Sequence, residues 1–319
     1  MSDRTSRLRI GIICAMMLGT SSADAQFGSF GDALQKLAAP SLGKLMSGPA
    51  PVSTSIRDAV YGDPTRDGAS PRERPLPLET LHRTPDGGFV LAAGYYQMSD
   101  QSYCLHAGTF GPGGGDGYLY GPLVGSARDA VTSILRNSVA HPDINQHDVQ
   151  LLLWAIVARA KFEDLNSELK YVAARLLTPR QIASLNRSAL GMLTGPELSR
   201  FMGNAPPFVR QVMEAEAQMR NLLSSSSLNY AELERLAVLT GAAPRGDGSV
   251  DTPSGRWSRH PDGYLIRYIP SGYSQTLTQI WVEPGSPGIG IVYDPALGVA
   301  VPTNTSRQRL AQSGRRYGS

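Results

Sequence analysis

Cysteine is nearly missing from this sequence: 319 residues hold 2, Cys14 and Cys104. That scarcity excludes a disulfide framework. Long apolar runs are missing as well. The stretch Ile10 to Leu18 is too short to span a bilayer comfortably, and no later segment approaches the ~20 apolar residues that a spanning helix needs. Charge of one sign is also lacking, since the formal balance is only +3 and charged residues make up 18% of the chain. A nucleic-acid footprint is therefore not expected. The sequence has no internal repeat, which excludes solenoids and propellers.

What the sequence does have is 34 Gly and 23 Pro, unevenly spread. Its first residues carry the three parts of an export signal. Arg4, Arg7 and Arg9 form the basic part, Ile10 to Leu18 the apolar part, and Ala23-Asp24-Ala25 a small-residue cleavage site. Removal of residues 1–25 takes Cys14 away and leaves Cys104 as the one thiol. A secreted or periplasmic protein, peripheral to a membrane at most, is expected.

Residues 26–85 read as a Pro/Gly-rich arm or linker, because prolines at such density break helices and cannot donate to a ladder. A mainly helical domain is expected over 86–241, fronted by a short β segment around Cys104. Its strongest start signal is Thr178-Pro179-Arg180-Gln181, which pairs a cap, a first-position proline and a glutamine three residues on. Ser126 is expected to cap a first helix and Asn229 a last one. Asp148 to Phe162 is apolar on most sides and therefore reads as buried. A linker at 242–254 precedes a small antiparallel β module at 255–302, and 303–319 reads as a disordered basic tail. The expected class is α+β.

Two segments carry chemistry. Ser102-Tyr103-Cys104-Leu105 supplies a nucleophile, and Asp148-Val149-Gln150-Leu151-Leu152-Leu153-Trp154 places a carboxamide near the start of an apolar helix. An aromatic-Cys-aliphatic motif with a Gln-x-x-x-Trp motif resembles the thioester domains of bacterial surface adhesins. This chain has Leu152 where that family carries a small residue and Val149 where it often carries Thr. The resemblance covers about residues 88–165 and implies an internal Cys104–Gln150 thioester. Such a bond is a stored acyl electrophile for covalent attachment or adhesion. The implied partner is a protein or surface ligand with amine or hydroxyl groups, and no cofactor is implied.

A second chemistry pairs Cys104 with His106, His141 or His147, the imidazole withdrawing the thiol proton in a hydrolase acting on a peptide, amide or ester bond. A third use of the chain is non-catalytic partner binding in the periplasm. His141, Asp143, His147 and Asp148 match no zinc spacing, so no metal is expected. The glycine-rich Gly111 to Gly117 lacks the lysine and following helix of a phosphate cradle, and a tight, mobile loop is expected there.

Overall fold

In the computed structural model, which describes residues 50–53, 55–60, 62–113, 115–190, 203 and 207–318, the longest strand runs through the segment that carries Cys104. The export signal and the first part of the arm, up to residue 49, lie outside the described residues.

In chain order the strands are β1 (Leu76–Pro77), β2 (Phe89–Val90), β3 (Gly94–Cys104), β4 (Thr109–Phe110) and β5 (Tyr118–Pro122). Six helices follow among the described residues. They are α1 (Arg128–Ala140), α2 (Gln146–Val157), α3 (Ser167–Leu176), α4 (Pro179–Leu190), α5 (Pro207–Leu223) and α6 (Tyr230–Ala237). The chain then returns to strands: β6 (Val238–Leu239), β7 (Ser258–Arg259), β8 (Leu265–Pro270), β9 (Gln275–Val282), β10 (Val292–Tyr293), β11 (Gly298–Pro302) and β12 (Leu310–Arg316).

The organising element is an eight-stranded sheet in the order β5-β11-β12-β3-β9-β8-β7, with β1 added in parallel beside β3. Every other pairing in it is antiparallel. The sheet curls until its ends meet, for the buried Tyr120 amide on β5 donates to Ser258 Oγ on β7 at 3.0 Å. Close approach matters inside the curl. A Cβ on Gly298 would come within 3.0 Å of the Tyr120 ring and 3.3 Å of the Tyr268 hydroxyl.

These pairings correct the expected mainly helical architecture: the fold is β-rich. The β residues 258–302 are not a separate module, because β3, β5 and β12 complete their sheet. The tail expected to be disordered supplies β12, a central strand whose residues 310–315 are all buried. Its polar side chains find partners there, with Arg315 donating to the Ile144 carbonyl at 2.9 Å and Gln312 to the Leu310 carbonyl at 2.8 Å. The arm is held too. Ser53 bridges Val124, Val60 bridges Tyr120, and Leu78 just after β1 is fully buried. The linker at 242–254 is stitched to the sheet region through Gly117 N–H to Thr252 O and Val250 N–H to Thr303 O. Even the glycine-rich loop is pinned, since Arg307 pairs with Asp116 and donates to the Gly111 carbonyl at 2.7 Å.

The helices cover the sheet. Nine consecutive residues of α2, Val149 to Val157, are buried, as its all-round apolarity requires. Each fully buried Leu or Val there contributes about 1.5–3 kcal/mol relative to exposure. Thr178 and Gln181 form the expected reciprocal cap of α4, at 2.9 and 3.3 Å. Asn229 caps α6 through the Glu232 amide at 3.3 Å. Ser126 does not cap α1; Ala127 holds that position and Ser126 reaches the Ala50 carbonyl instead. No described helix is long and apolar enough to cross a membrane.

Two expected outcomes follow from this architecture. Truncation after Asn304 removes β12 from the middle of the sheet, so the shortened chain should give no cooperative unfolding transition by circular dichroism. A shortened chain that still melts cooperatively would contradict a central β12. The second concerns Asp100, which is fully buried on β3 with neither carboxylate oxygen hydrogen-bonded among the described residues. Burial pushes its carboxyl up to about 8, outweighing the opposing influences of Thr278 and Arg83. A raised folded value means that the native state holds the proton more tightly than the unfolded chain. The contribution of this group to stability is then full below about pH 4 and is lost as pH rises toward 8, by at most about 6 kcal/mol. Asp100→Asn should flatten this dependence in urea titrations between pH 5 and pH 9. Parallel curves for the two proteins would show that Asp100 is not the titrating group.

Candidate functional site

The site is built where β3 loses one of its neighbours. Along one edge β3 pairs with β9 from Gly94 to Gln101, and the Ser102 amide still reaches the Ser274 carbonyl at 2.9 Å. Beyond that point β9 has turned away, while β12 continues on the opposite edge as far as Cys104. In an antiparallel ladder residues point their amide and carbonyl alternately to the two edges. Leu105 bonds β12 through Arg309 O, so Cys104 turns its own N–H and C=O to the vacated edge. Buried backbone groups of this kind must be paired.

Helix α2 pairs them. The Cys104 amide donates to Gln150 Oε1 at 2.8 Å, and Gln150 Nε2 donates to the Cys104 carbonyl at 3.1 Å. One turn earlier Gln146 Nε2 donates to the Ser102 carbonyl at 3.1 Å and to the Ser274 carbonyl at 2.6 Å. The spacing is a geometric match. Four helical residues rise about 6 Å and two strand residues about 6.6 Å, so glutamines at i and i+4 meet strand residues at j and j+2. Asn145 starts the helix by accepting from the Asp148 amide at 2.9 Å.

Both members of the pair are shut from solvent, Cys104 at 0% and Gln150 at 1% exposure. Burial pushes the Cys104 thiol well up from its ordinary range, and the charge of Glu234 adds to the effect. The sulfur is therefore a thiol, not a thiolate, in this state. The carboxamide lies against the backbone of the same residue, with its carbonyl oxygen already receiving an N–H.

The three candidate histidines have different surroundings. His106 follows the end of β3, and burial, helped by Arg309, holds its imidazole well below the ordinary range. His141 Nδ1 lies 3.0 Å from Arg175, which is also paired with Asp143. His147 is exposed and stacks on Tyr230, ring centres 4.0 Å apart and 22° between planes. Of the candidates, the structure thus brings Gln150 directly onto Cys104. No cluster of metal-ligating side chains occurs among the described residues.

Three residues beside the pair carried no signal in the sequence. Tyr273, in the turn before β9, is hydrogen-bonded through its hydroxyl to the Glu234 carboxylate of α6, and Tyr230 Oη lies 3.0 Å from Tyr273 Oη. They come from segments far from Cys104 in sequence, and no local motif joins them. Gln146 had one readable sign, its spacing of four from Gln150. Comparison with family models, with curated proteins and with solved structures finds no match to this chain.

The hydrogen bonds give a ranked expectation. Gln150→Ala leaves a buried amide and carbonyl of Cys104 unpaired and should cost about 2–4 kcal/mol. Cys104→Ala keeps both backbone groups and the carboxamide, so its cost should be smaller. Urea unfolding of the two variants checks this, and the opposite order would contradict the edge-filling role of Gln150.

Proposed function

We propose that this chain is an exported, envelope or secreted protein whose Cys104 and Gln150 close an internal thioester used for covalent attachment to a protein or surface ligand. The observation that carries the proposal is the bond from the Cys104 amide to Gln150 Oε1 at 2.8 Å. Attack on a carboxamide places negative charge on that oxygen, and a backbone N–H already aimed at it is an oxyanion donor.

The step balances without a further reactant. Cys104 Sγ attacks Gln150 Cδ, the C–N bond breaks, and the departing nitrogen leaves as ammonia with the thiol proton. The thiol proton enters the balance as part of the ammonia, but the sulfur must give it up to attack, so the burial that raises the Cys104 thiol opposes this step as it opposes a hydrolase. Burial on both sides keeps water from the acyl carbon, which a stored electrophile requires. A later amine or hydroxyl takes the acyl group and returns the cysteine as a thiol.

A second use of the same geometry has its own support. Gln146 fills the β3 edge at Ser102 in the same manner with no thiol beside it, so Gln150 can be an edge filler alone in a non-catalytic binding protein. A Cys–His hydrolase has less to support it, because burial and Glu234 both oppose the thiolate that it would need.

Intact-mass measurement on the purified protein, with termini fixed by peptide mapping, separates these uses. The thioester makes the chain lighter by one ammonia, and Cys104→Ala should carry its full calculated mass. Full mass in the native protein, together with a thiol at Cys104 that reacts after unfolding, would leave the edge-filling role and remove the thioester.

A further inference from the structure

Beside the Cys104–Gln150 pair runs a chain of hydroxyl groups that ends on a carboxylate. On α2, residues His147, Gln150, Leu151 and Trp154 share one face, being spaced by three, four and seven. The Tyr230 ring lies along that face. It stacks on His147 at 4.0 Å and tilts over Trp154 at 5.5 Å, which spans the turn that presents Gln150 to Cys104. Its hydroxyl meets Tyr273 Oη at 3.0 Å, and Tyr273 in turn donates to Glu234. Tyr273 is itself tied to the strand of the nucleophile, since Ser102 Oγ donates to its carbonyl at 2.9 Å.

Tyr273 donates to Glu234, and in that arrangement the hydrogen bond between the two tyrosines is donated by Tyr230. Tyr230 Oη keeps a lone pair to accept one more hydrogen bond. Burial raises the hydroxyls of both tyrosines above their ordinary range, so they carry protons onward and do not ionise. Glu234, Tyr230 and Tyr273 are half-buried and His147 is exposed, so this chain borders solvent while the pair does not.

We propose that Tyr230, Tyr273 and Glu234 form a proton relay that activates an incoming primary amine at the Cys104–Gln150 acyl centre. This rests on the thioester proposed above. The amine nitrogen attacks the acyl carbon while its N–H donates to Tyr230 Oη. The Tyr230 proton moves to Tyr273, and the Tyr273 proton to the Glu234 carboxylate. The C–S bond breaks with its electron pair on sulfur, and the proton on Glu234 returns through the same hydroxyls to give the Cys104 thiol. The product is an amide between the amine and the former Gln150 side chain. Tyr230 is the group that meets the nucleophile; Glu234 acts through it as a positioning residue and proton store.

Methylamine uptake, followed by intact mass as the ammonia deficit is replaced by the added amine, tests the relay. Glu234→Gln keeps an acceptor for Tyr273 but not a base, and Tyr230→Phe cuts the chain at its first link. Both should retain the mass deficit and take up methylamine at least tenfold more slowly. Glu234→Ala should recover part of its rate in added acetate, an effect that a purely structural glutamate would not give. A retained deficit with unchanged uptake, or no recovery with acetate, overturns the relay and leaves the thioester standing. Loss of the deficit in both Glu234→Gln and Tyr230→Phe assigns the three residues to support of the fold and also overturns it. A native protein at full mass removes the thioester itself, and the relay with it.

Discussion

Everything around Cys104 depends on one constraint: a buried strand edge must have its amides and carbonyls paired. β3 meets it in two ways. β9 satisfies one edge as far as Ser102, and two glutamines of α2 take over from there. The substitution of side chains for a strand fixes the orientation and register of α2 and the position of the carboxamide. Closing a thioester would keep the bond from the Cys104 amide to Gln150 Oε1 but expel Nε2, the donor to the Cys104 carbonyl, so it would undo half of this edge pairing. The same hydrogen bond that satisfies the strand also points a donor at the carbonyl oxygen that would carry charge.

Burial supplies the second half of the account. Around Cys104 the protein removes water and leaves Glu234 as the neighbouring charge acting on it, which keeps the sulfur protonated. That environment opposes a resting thiolate and suits a sulfur waiting inside an acyl bond. Close by, polar groups are linked to one another: the Tyr230 and Tyr273 hydroxyls and the Glu234 carboxylate form one hydrogen-bonded chain, and the Tyr230 ring stacks on the exposed His147.

Most local signals in the sequence survived, the Ser126 cap excepted, and non-local ones did not. The Thr178–Gln181 cap and the apolar face of α2 are set by residues a turn apart, and both appear as expected. β12 could not be read because Leu310 to Arg316 contains Gln312, Arg315 and Arg316, residues that look solvated; only the fold shows Gln312 and Arg315 buried, with Arg315 bonded to the distant Ile144 carbonyl. The sheet was underestimated for a related reason. Many of its strands are only two to eight residues long, and β3 is buried over most of both faces, so it lacks clean alternation. At the site, Cys104 and Gln150 were legible as a motif. Tyr230, Tyr273 and Glu234 were not, because only the fold brings α6 and the turn before β9 to the same place.

The central claim is that Gln150 faces Cys104 as an acyl donor and not only as a strand-edge filler. A crystal structure of the full chain at atomic resolution tests it most directly. The account predicts continuous density from Cys104 Sγ to the Gln150 side-chain carbon, with the acyl oxygen still receiving the Cys104 N–H. A free sulfur beside an intact carboxamide, bonded through both its nitrogen and its oxygen to the Cys104 backbone, would contradict it.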